Sequence, residues 1–275
     1  MATEVLAFGE LLWDIIDGEP HIGGAPFNFA AHAARCGLRT ALVSAVGDDA
    51  LGKRALDAAA RLGVDSSLVA THRTLPTGTV NVTVKDGMPS YDIVRPAAWD
   101  EIPLPPAAGG VKAAVLYFGT LAQRSAPSAA TLEALLDTAA GDAVFFDVNL
   151  RQDFWSRETV ERGIAKADFL KVNDDERAIL GLDADDLFAR HPRLRAVIET
   201  RGAQGCVVSA RGEKPFASPA APSGPVVDTV GAGDAFAAAF IAEVLKGGSL
   251  QSAAEAGNRR AGMVAARPGA VPEDM

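Results

Sequence analysis

Asp228-Thr229-Val230-Gly231-Ala232-Gly233-Asp234-Ala235-Phe236 (DTVGAGDAF) follows Pro225-Val226-Val227, which reads as the end of an extended segment. It leads into Ala235 through Lys246 (AFAAAFIAEVLK), a stretch of high helix propensity. The two glycines therefore fall where a helix begins. Without a Cβ at Gly231 or Gly233 the backbone turns sharply and brings successive N–H groups toward one point, where unpaired first-turn donors and the helix dipole favour an anion. Asp234 sits in the first turn beside that point. A carboxylate next to an anion site calls for a task of its own, and taking a proton from a hydroxyl is one. The plainer alternative is an ordinary glycine turn, with an acid that complements the helix dipole.

Working outward, Phe8-Gly9-Glu10-Leu11-Leu12-Trp13-Asp14 and Ile22-Gly23-Gly24-Ala25-Pro26-Phe27-Asn28-Phe29-Ala30 form an N-terminal block. Val5 to Phe8 reads as a first strand, Gly23-Gly24 as a tight turn, and Asn28 to Arg35 as a helix ending near Gly37. Asp14 and Asn28 then lie near strand or turn ends. There a carboxylate and an amide can hold several hydroxyls, or serve as a solvated acid and an N-cap. Pro76 through Val84 alternates like a strand, Asp86-Gly87 reads as a turn, and Ser90 to Val94 alternates again, so a hairpin is expected. Phe118 through Ser125 and Phe145 through Arg151 each end an apolar strand in polar groups. Asp147, Asn149 and Arg151 can face a ligand there or close a turn through an ion pair. Repeated strand–turn–helix patterns, with helices at Ala50 to Leu62 and Thr131 to Ala140, favour an α/β fold with a doubly wound parallel sheet, whose ligands bind at the carboxyl ends of strands. Pro103 through Gly110 is a local connector before the strand Ala113 to Phe118.

DTVGAGDAF resembles the C-terminal signature of the ribokinase-like sugar kinases, the PfkB carbohydrate kinase family, and GGAPFNFAAHAARCG is similar to the sugar-binding block of its fructokinase-type members. The resemblance implies a ribokinase-like, mostly parallel sheet with helices on both faces. It further implies one domain over 1–275, with a small β lid from about 10–22 and 76–99. Asp234 would be the catalytic base, and Gly231, Ala232 and Gly233 the anion hole. Asp14, Gly23, Gly24 and Asn28 would lie around the sugar. Lys171-Val172-Asn173-Asp174-Asp175-Glu176 resembles the Asn-x-x-Glu motif, placing Lys171 and Asn173 by the nucleotide and Asn173 and Glu176 near magnesium, through water. Thr200, Gly202 and Gly205 resemble the turn beside the ATP phosphates, and Asn258 falls on a helix set against adenine. Asp228 and the stretch through Gly269 resemble a region that binds a monovalent cation in some members, which implies potassium.

The implied activity is ATP-dependent phosphorylation of a primary hydroxyl of a monosaccharide, with fructose first. Other acceptors stay open: tagatose, ribose, a nucleoside, or a keto-deoxy sugar acid such as 2-keto-3-deoxygluconate, for which Arg95 or Arg151 would supply the cation. A non-catalytic sugar- or nucleotide-binding regulator on the same fold is the alternative from another class. A lid hairpin also has an edge that could pair with a second copy as a homodimer.

Composition bounds these expectations. The 275 residues, 48% hydrophobic, can bury a large core. A net charge of −9 argues against non-specific nucleic-acid binding. Cys36 and Cys206 are too few for a disulfide framework or zinc site, so a reducing, cytoplasmic setting is expected. There is no signal-peptide pattern at the N-terminus and no membrane-length apolar run. The four histidines lack ligand spacing, and His32 reads as a packed or surface residue, not a catalytic one.

Overall fold

In the computed structural model, residues 3–85, 88–105, 113–138, 140–273 and 275 are described. The Asp86-Gly87 turn and most of the Pro103–Gly110 connector lie outside them. The chain runs through β1 (Val5–Phe8), β2 (Leu12–Ile16), β3 (Glu19–Gly23), α1 (Ala25–Arg35), β4 (Thr40–Gly47), α2 (Ala50–Arg61), β5 (Val64–Asp65) and β6 (Val69–His72). It continues through β7 (Gly78–Lys85), β8 (Met88–Ile93), β9 (Ala113–Phe118), α3 (Ala126–Thr138), β10 (Ala140–Asp147), α4 (Arg157–Lys166) and β11 (Phe169–Asn173). The last elements are α5 (Asp174–Leu180), α6 (Ala184–Arg190), β12 (Ala196–Thr200), β13 (Cys206–Ala210), β14 (Phe216–Ser218), α7 (Ala232–Leu245) and α8 (Leu250–Ala265).

The main sheet has the order β14-β13-β12-β11-β10-β9-β1-β4-β5, with β6 also pairing β4. Its pairings are parallel except at β13 and β14. Alternation in β1 sends Val5 and Ala7 into one buried cluster and Leu6 and Phe8 into another, so both faces are covered. One cluster gathers residues of α1, α7 and α8, the other those of α3 and α4. This is the ribokinase-like α/β architecture. A second sheet, β3-β2-β7-β8, is built from the two N-terminal strands and the expected hairpin.

Helix boundaries differ from the sequence reading where a first turn is rich in Gly or Pro. Helix α1 begins at Ala25, not Asn28, because Pro26 stands in the first turn, where no backbone N–H is required. Helix α7 begins at Ala232, with Gly231 as its left-handed N-cap (φ 76°). Helix α3 starts at Ala126, and Ala140 already belongs to β10. Pro225-Val226-Val227 joins no strand. Instead the Val227 and Asp228 amides bond the Ala265 carbonyl at the end of α8.

Candidate active site

The carboxyl ends of β1, β10, β11 and β12 and the start of α7 converge. Gly231 holds its left-handed conformation against the segment around Ala270, so closely that a Cβ there would collide with the Ala270 carbonyl. Asp228 fixes the approach to the turn. Its carboxylate accepts from the Val230 amide at 2.9 Å and the Gly269 amide at 3.0 Å. The first helical turn then presents Asp234, whose Oδ2 accepts from the Asn28 amide at 2.9 Å. Asn28 is the fourth residue of α1, so it is not an N-cap. It is a buried side chain that crosses to another helix.

Burial pushes the Asp234 carboxyl up to about 7, with the Asp147 charge adding to the effect and Asn28, Lys171 and Arg151 opposing it. That value suits a group that must accept a proton near neutrality. Glu10, just past β1, is buried and also pushed up to about 7, chiefly by desolvation, while Arg151 lowers it and Asp234 raises it. Asp14 on β2 rises to about 6 through burial, moderated by His21 opposite it on β3 and by Arg151. Arg151 thus bears on three acids of the site, yet its guanidinium is exposed and, among the described residues, bonds only the Leu150 carbonyl. Arg95 lies over the Phe154 ring at 5.2 Å.

Gly23 and Gly24 are explained by close approach. A Cβ on Gly23 would lie 2.6 Å from an Asp14 carboxylate oxygen, and one on Gly24, at φ 106°, would collide with the Glu10 carbonyl oxygen. Glu10 also accepts from the Ala25 amide, placing an acid at the start of α1.

A buried ion pair underlies the turn. Register sets Asp147, at the end of β10, beside Lys171 on β11, and the ammonium reaches both carboxylate oxygens at 2.8 and 2.9 Å. Tyr117 donates to the same carboxylate at 3.1 Å, its ring stacked on Phe29 with centroids 3.7 Å apart. A Cβ on Gly233 would lie 3.4 Å from the Lys171 nitrogen, so this ammonium sits against the first turn of α7. Asp147 holds Lys171 cationic despite its burial. Neither Glu10 nor Tyr117 stands out in the sequence; each acquires its position from contacts distant in the chain.

Next along the edge, Asn173 and Glu176 form a reciprocal cap of α5. Asn173 Oδ1 accepts from the Glu176 amide at 2.7 Å and Glu176 accepts from the Asn173 amide at 2.9 Å. The other Glu176 oxygen accepts from the Leu150 amide at 2.8 Å. Asn173 pairs in register with Thr200, so the turn carrying Gly202 (φ 51°) and Gly205 (φ 89°) adjoins it. Asn258 is buried beside the same turn, its amide 3.6 Å from the Sγ of Cys206, which follows Gly205 and pairs in register with Thr200. Its amide donates to the Ser218 carbonyl and hydroxyl at 3.1 and 3.0 Å, tying α8 to β14. His32 is fully buried, as expected of a packing residue.

Taken together, an acid near neutrality, an ammonium and a glycine-turned helix start suit transfer of an anionic group to a hydroxyl. Residues 2–274 match the model of the pfkB family carbohydrate kinases. A fructokinase of Klebsiella pneumoniae is 32% identical over 88% of this chain and 84% of its own. An uncharacterized sugar kinase of Pyrococcus horikoshii, solved in complex with ATP, superposes with a TM-score of 0.85 at 26% identity, covering 97% and 94% of the two chains. Aminoimidazole riboside kinase of Salmonella enterica, solved with its riboside and an ATP analog, gives 0.83 at 25% identity, covering 98% and 95%. With the family model spanning nearly every residue and the glycine turn, Asp234 and main sheet in place, this chain belongs to the pfkB carbohydrate kinases and is a sugar kinase.

Proposed function

We propose that the chain transfers the γ-phosphoryl group of ATP to a primary hydroxyl of fructose, with the four-stranded sheet acting as a lid over the sugar. The observation that carries this reading is the Asp234 carboxyl, anchored by Asn28 through one oxygen and raised to about 7 beside an anion-seeking helix start. The other oxygen takes the proton of the attacking hydroxyl. Asp14 and Asn28 orient the sugar so that the hydroxyl points at the γ-phosphorus. The amides of Gly231, Ala232 and Gly233, with the Lys171 ammonium behind them, meet the charge spread over the transferred oxygens. Such reactions are accelerated mainly by positioning and electrostatics. Lid closure excludes water, the competing acceptor.

Among the described residues no cluster of three or more His, Cys, Asp or Glu could grip a metal directly. The Asn173 and Glu176 oxygens each hold a backbone N–H and keep further lone pairs, an arrangement that fits a magnesium ion held through its waters. Magnesium there would offset the charge of the nucleotide phosphates. Asp228 and the Gly269 segment are the counterpart place for potassium.

The Klebsiella relative favours fructose. A keto-deoxy sugar acid is the second reading, favoured by Arg151, a guanidinium within electrostatic reach of Asp14 that forms no ion pair with the site acids. A coupled assay with ATP and magnesium over fructose, tagatose, ribose, 2-keto-3-deoxygluconate and nucleosides, with product identification, separates these. Phosphorylation at C6 of fructose with the highest kcat/KM supports the proposal, and preference for the acid would move the assignment to the second reading. Turnover of none would overturn both.

A further inference from the structure

Tyr117, on β9, lies in a buried row of rings, with centroids 3.7 Å from Phe29 and 5.8 Å from Phe145. Phe145 in turn meets Phe169 and Phe240. A phenylalanine would serve that packing as well as a tyrosine. The hydroxyl goes to Asp147 Oδ2 at 3.1 Å, an oxygen that the Lys171 ammonium already holds at 2.8 Å while reaching Oδ1 at 2.9 Å. Charge pairing is complete without the hydroxyl, and burying one costs about as much as a single hydrogen bond returns.

Both sides of Tyr117 lead to the reacting groups. On the ring side, Phe29 follows Asn28 on α1, and the Asn28 amide holds Asp234 Oδ2 at 2.9 Å. On the hydroxyl side, Asp147 holds Lys171, whose nitrogen lies 3.4 Å from the place of a Cβ on Gly233, the residue before Asp234. The contacts close a ring through β9, α1, α7, β11 and β10, with Asp234 and the Lys171 ammonium as its two working members. An ammonium has three N–H donors, and bonds to the two Asp147 oxygens leave one for an incoming oxyanion. How firmly Asp147 draws the ammonium therefore matters. A hydroxyl sharing Oδ2 weakens that draw, because its proton offsets part of the carboxylate charge at short range.

We propose that Tyr117 is a positioning residue for phosphoryl transfer: its ring sets Asn28 against Asp234, and its hydroxyl balances Asp147 so that Lys171 stays available to the transferred group. The inference rests on Asp234 as the base and on Lys171 as a partner of the transferred oxygens. Tyr117 itself keeps its proton, since burial, with Asp147 beside it, pushes the hydroxyl well above the ordinary phenol range.

Tyr117→Phe keeps the ring and removes only the hydroxyl. In the intact protein with ATP, magnesium and the best sugar, kcat should fall about 10-fold while both KM values stay within about threefold, because the loss is felt in the transition state more than in binding. The acid limb of kcat/KM should also move alkaline, by about 0.5 pH unit. Among the described residues the charges bearing on Asp234 are those of Asp147, Lys171, Arg151 and Glu10; the lost bond acts on Asp147, whose repulsion of Asp234 is then less offset. A hydroxyl that served only the core would change Tm and neither kinetic quantity. A kcat within about twofold of wild type, or an unmoved limb, would therefore overturn the proposal. Asp234→Asn separates it from the base assignment: if that variant loses transfer while Tyr117→Phe behaves as wild type, the assignment stands and Tyr117 is only packing. Transfer at the wild-type rate by Asp234→Asn would end both. Should Tyr117→Phe not fold, Phe29→Leu takes its place, since it removes the stacked ring and loosens Asn28; the limb should again move alkaline, and an unmoved one would refute the proposal.

Discussion

Replacing Asp234 by Asn should raise stability and abolish most activity, with a pH signature that ties both effects to one carboxyl. In the folded chain the group titrates near 7 instead of its ordinary 3.8, mainly because it is buried, with Asp147 adding repulsion. A carboxyl whose pKa is raised by folding costs nothing below its unfolded pKa. The folded state loses stability as pH climbs between the two values, and the full cost stands above the folded one. At about 1.4 kcal/mol per pH unit the ceiling is about 4 kcal/mol, and relaxation around a half-buried group should leave roughly 2 kcal/mol. Asn removes that charge, keeps an oxygen for the Asn28 amide, and relieves the repulsion that Asp234 exerts on Glu10. Scanning calorimetry should therefore show the variant melting roughly 4–8 °C higher at pH 8 and no differently at pH 4. Single-turnover transfer to the best sugar should fall at least about 10²-fold, the lower range for losing a positioned base. If transfer stayed within a few-fold of wild type in a folded, saturated variant, Asp234 would be only a helix-start acid. A stability gain of equal size at pH 4 and pH 8 would show that burial does not shift this carboxyl.

Wild-type kcat/KM should rise with pH through about 7, falling about tenfold per unit on the acid side; a profile flat from pH 5.5 to 8 would remove Asp234 as the base. Asp14→Ala and Asn28→Ala should each weaken sugar binding by about 1–3 kcal/mol with much smaller change for ATP. Calorimetric titration checks this, and Asn28→Ala should also move the activity profile alkaline, because the bond that lowers the Asp234 pKa is lost. Lys171→Met leaves the Asp147 carboxylate buried and unpaired, so denaturant unfolding should show a loss of about 3–5 kcal/mol, largely restored by adding Asp147→Asn. Gly231→Ala must strain a left-handed residue and push against Ala270, and should cost at least about 2 kcal/mol along with most transfer activity, read by urea unfolding and the coupled assay.

The parts of the site legible in the sequence are those written as local backbone chemistry. Gly231 and Gly233 before an Ala-rich run announce a turn into a helix, and Asn173 with Glu176 three residues later is a capping pattern that the fold realises. Helix starts are misjudged at Ala25 and Ala232 for one reason: Pro and Gly lower propensity in a helix interior, whereas the first turn tolerates both. What stays hidden depends on register and long-range approach. Asn28 meets Asp234 across 206 residues, and no spacing rule reaches so far. Glu10 looks like a loop acid until β1 delivers it to the start of α1 and the field of Arg151. Asp147 and Lys171 are a different case, because Phe169-Leu170-Lys171-Val172-Asn173 is buried strand with one cation in its middle. A lysine there must find a carboxylate on a neighbouring strand or give up its proton. Parallel register allows few candidates, and Asp147 is the acid that ends the preceding strand.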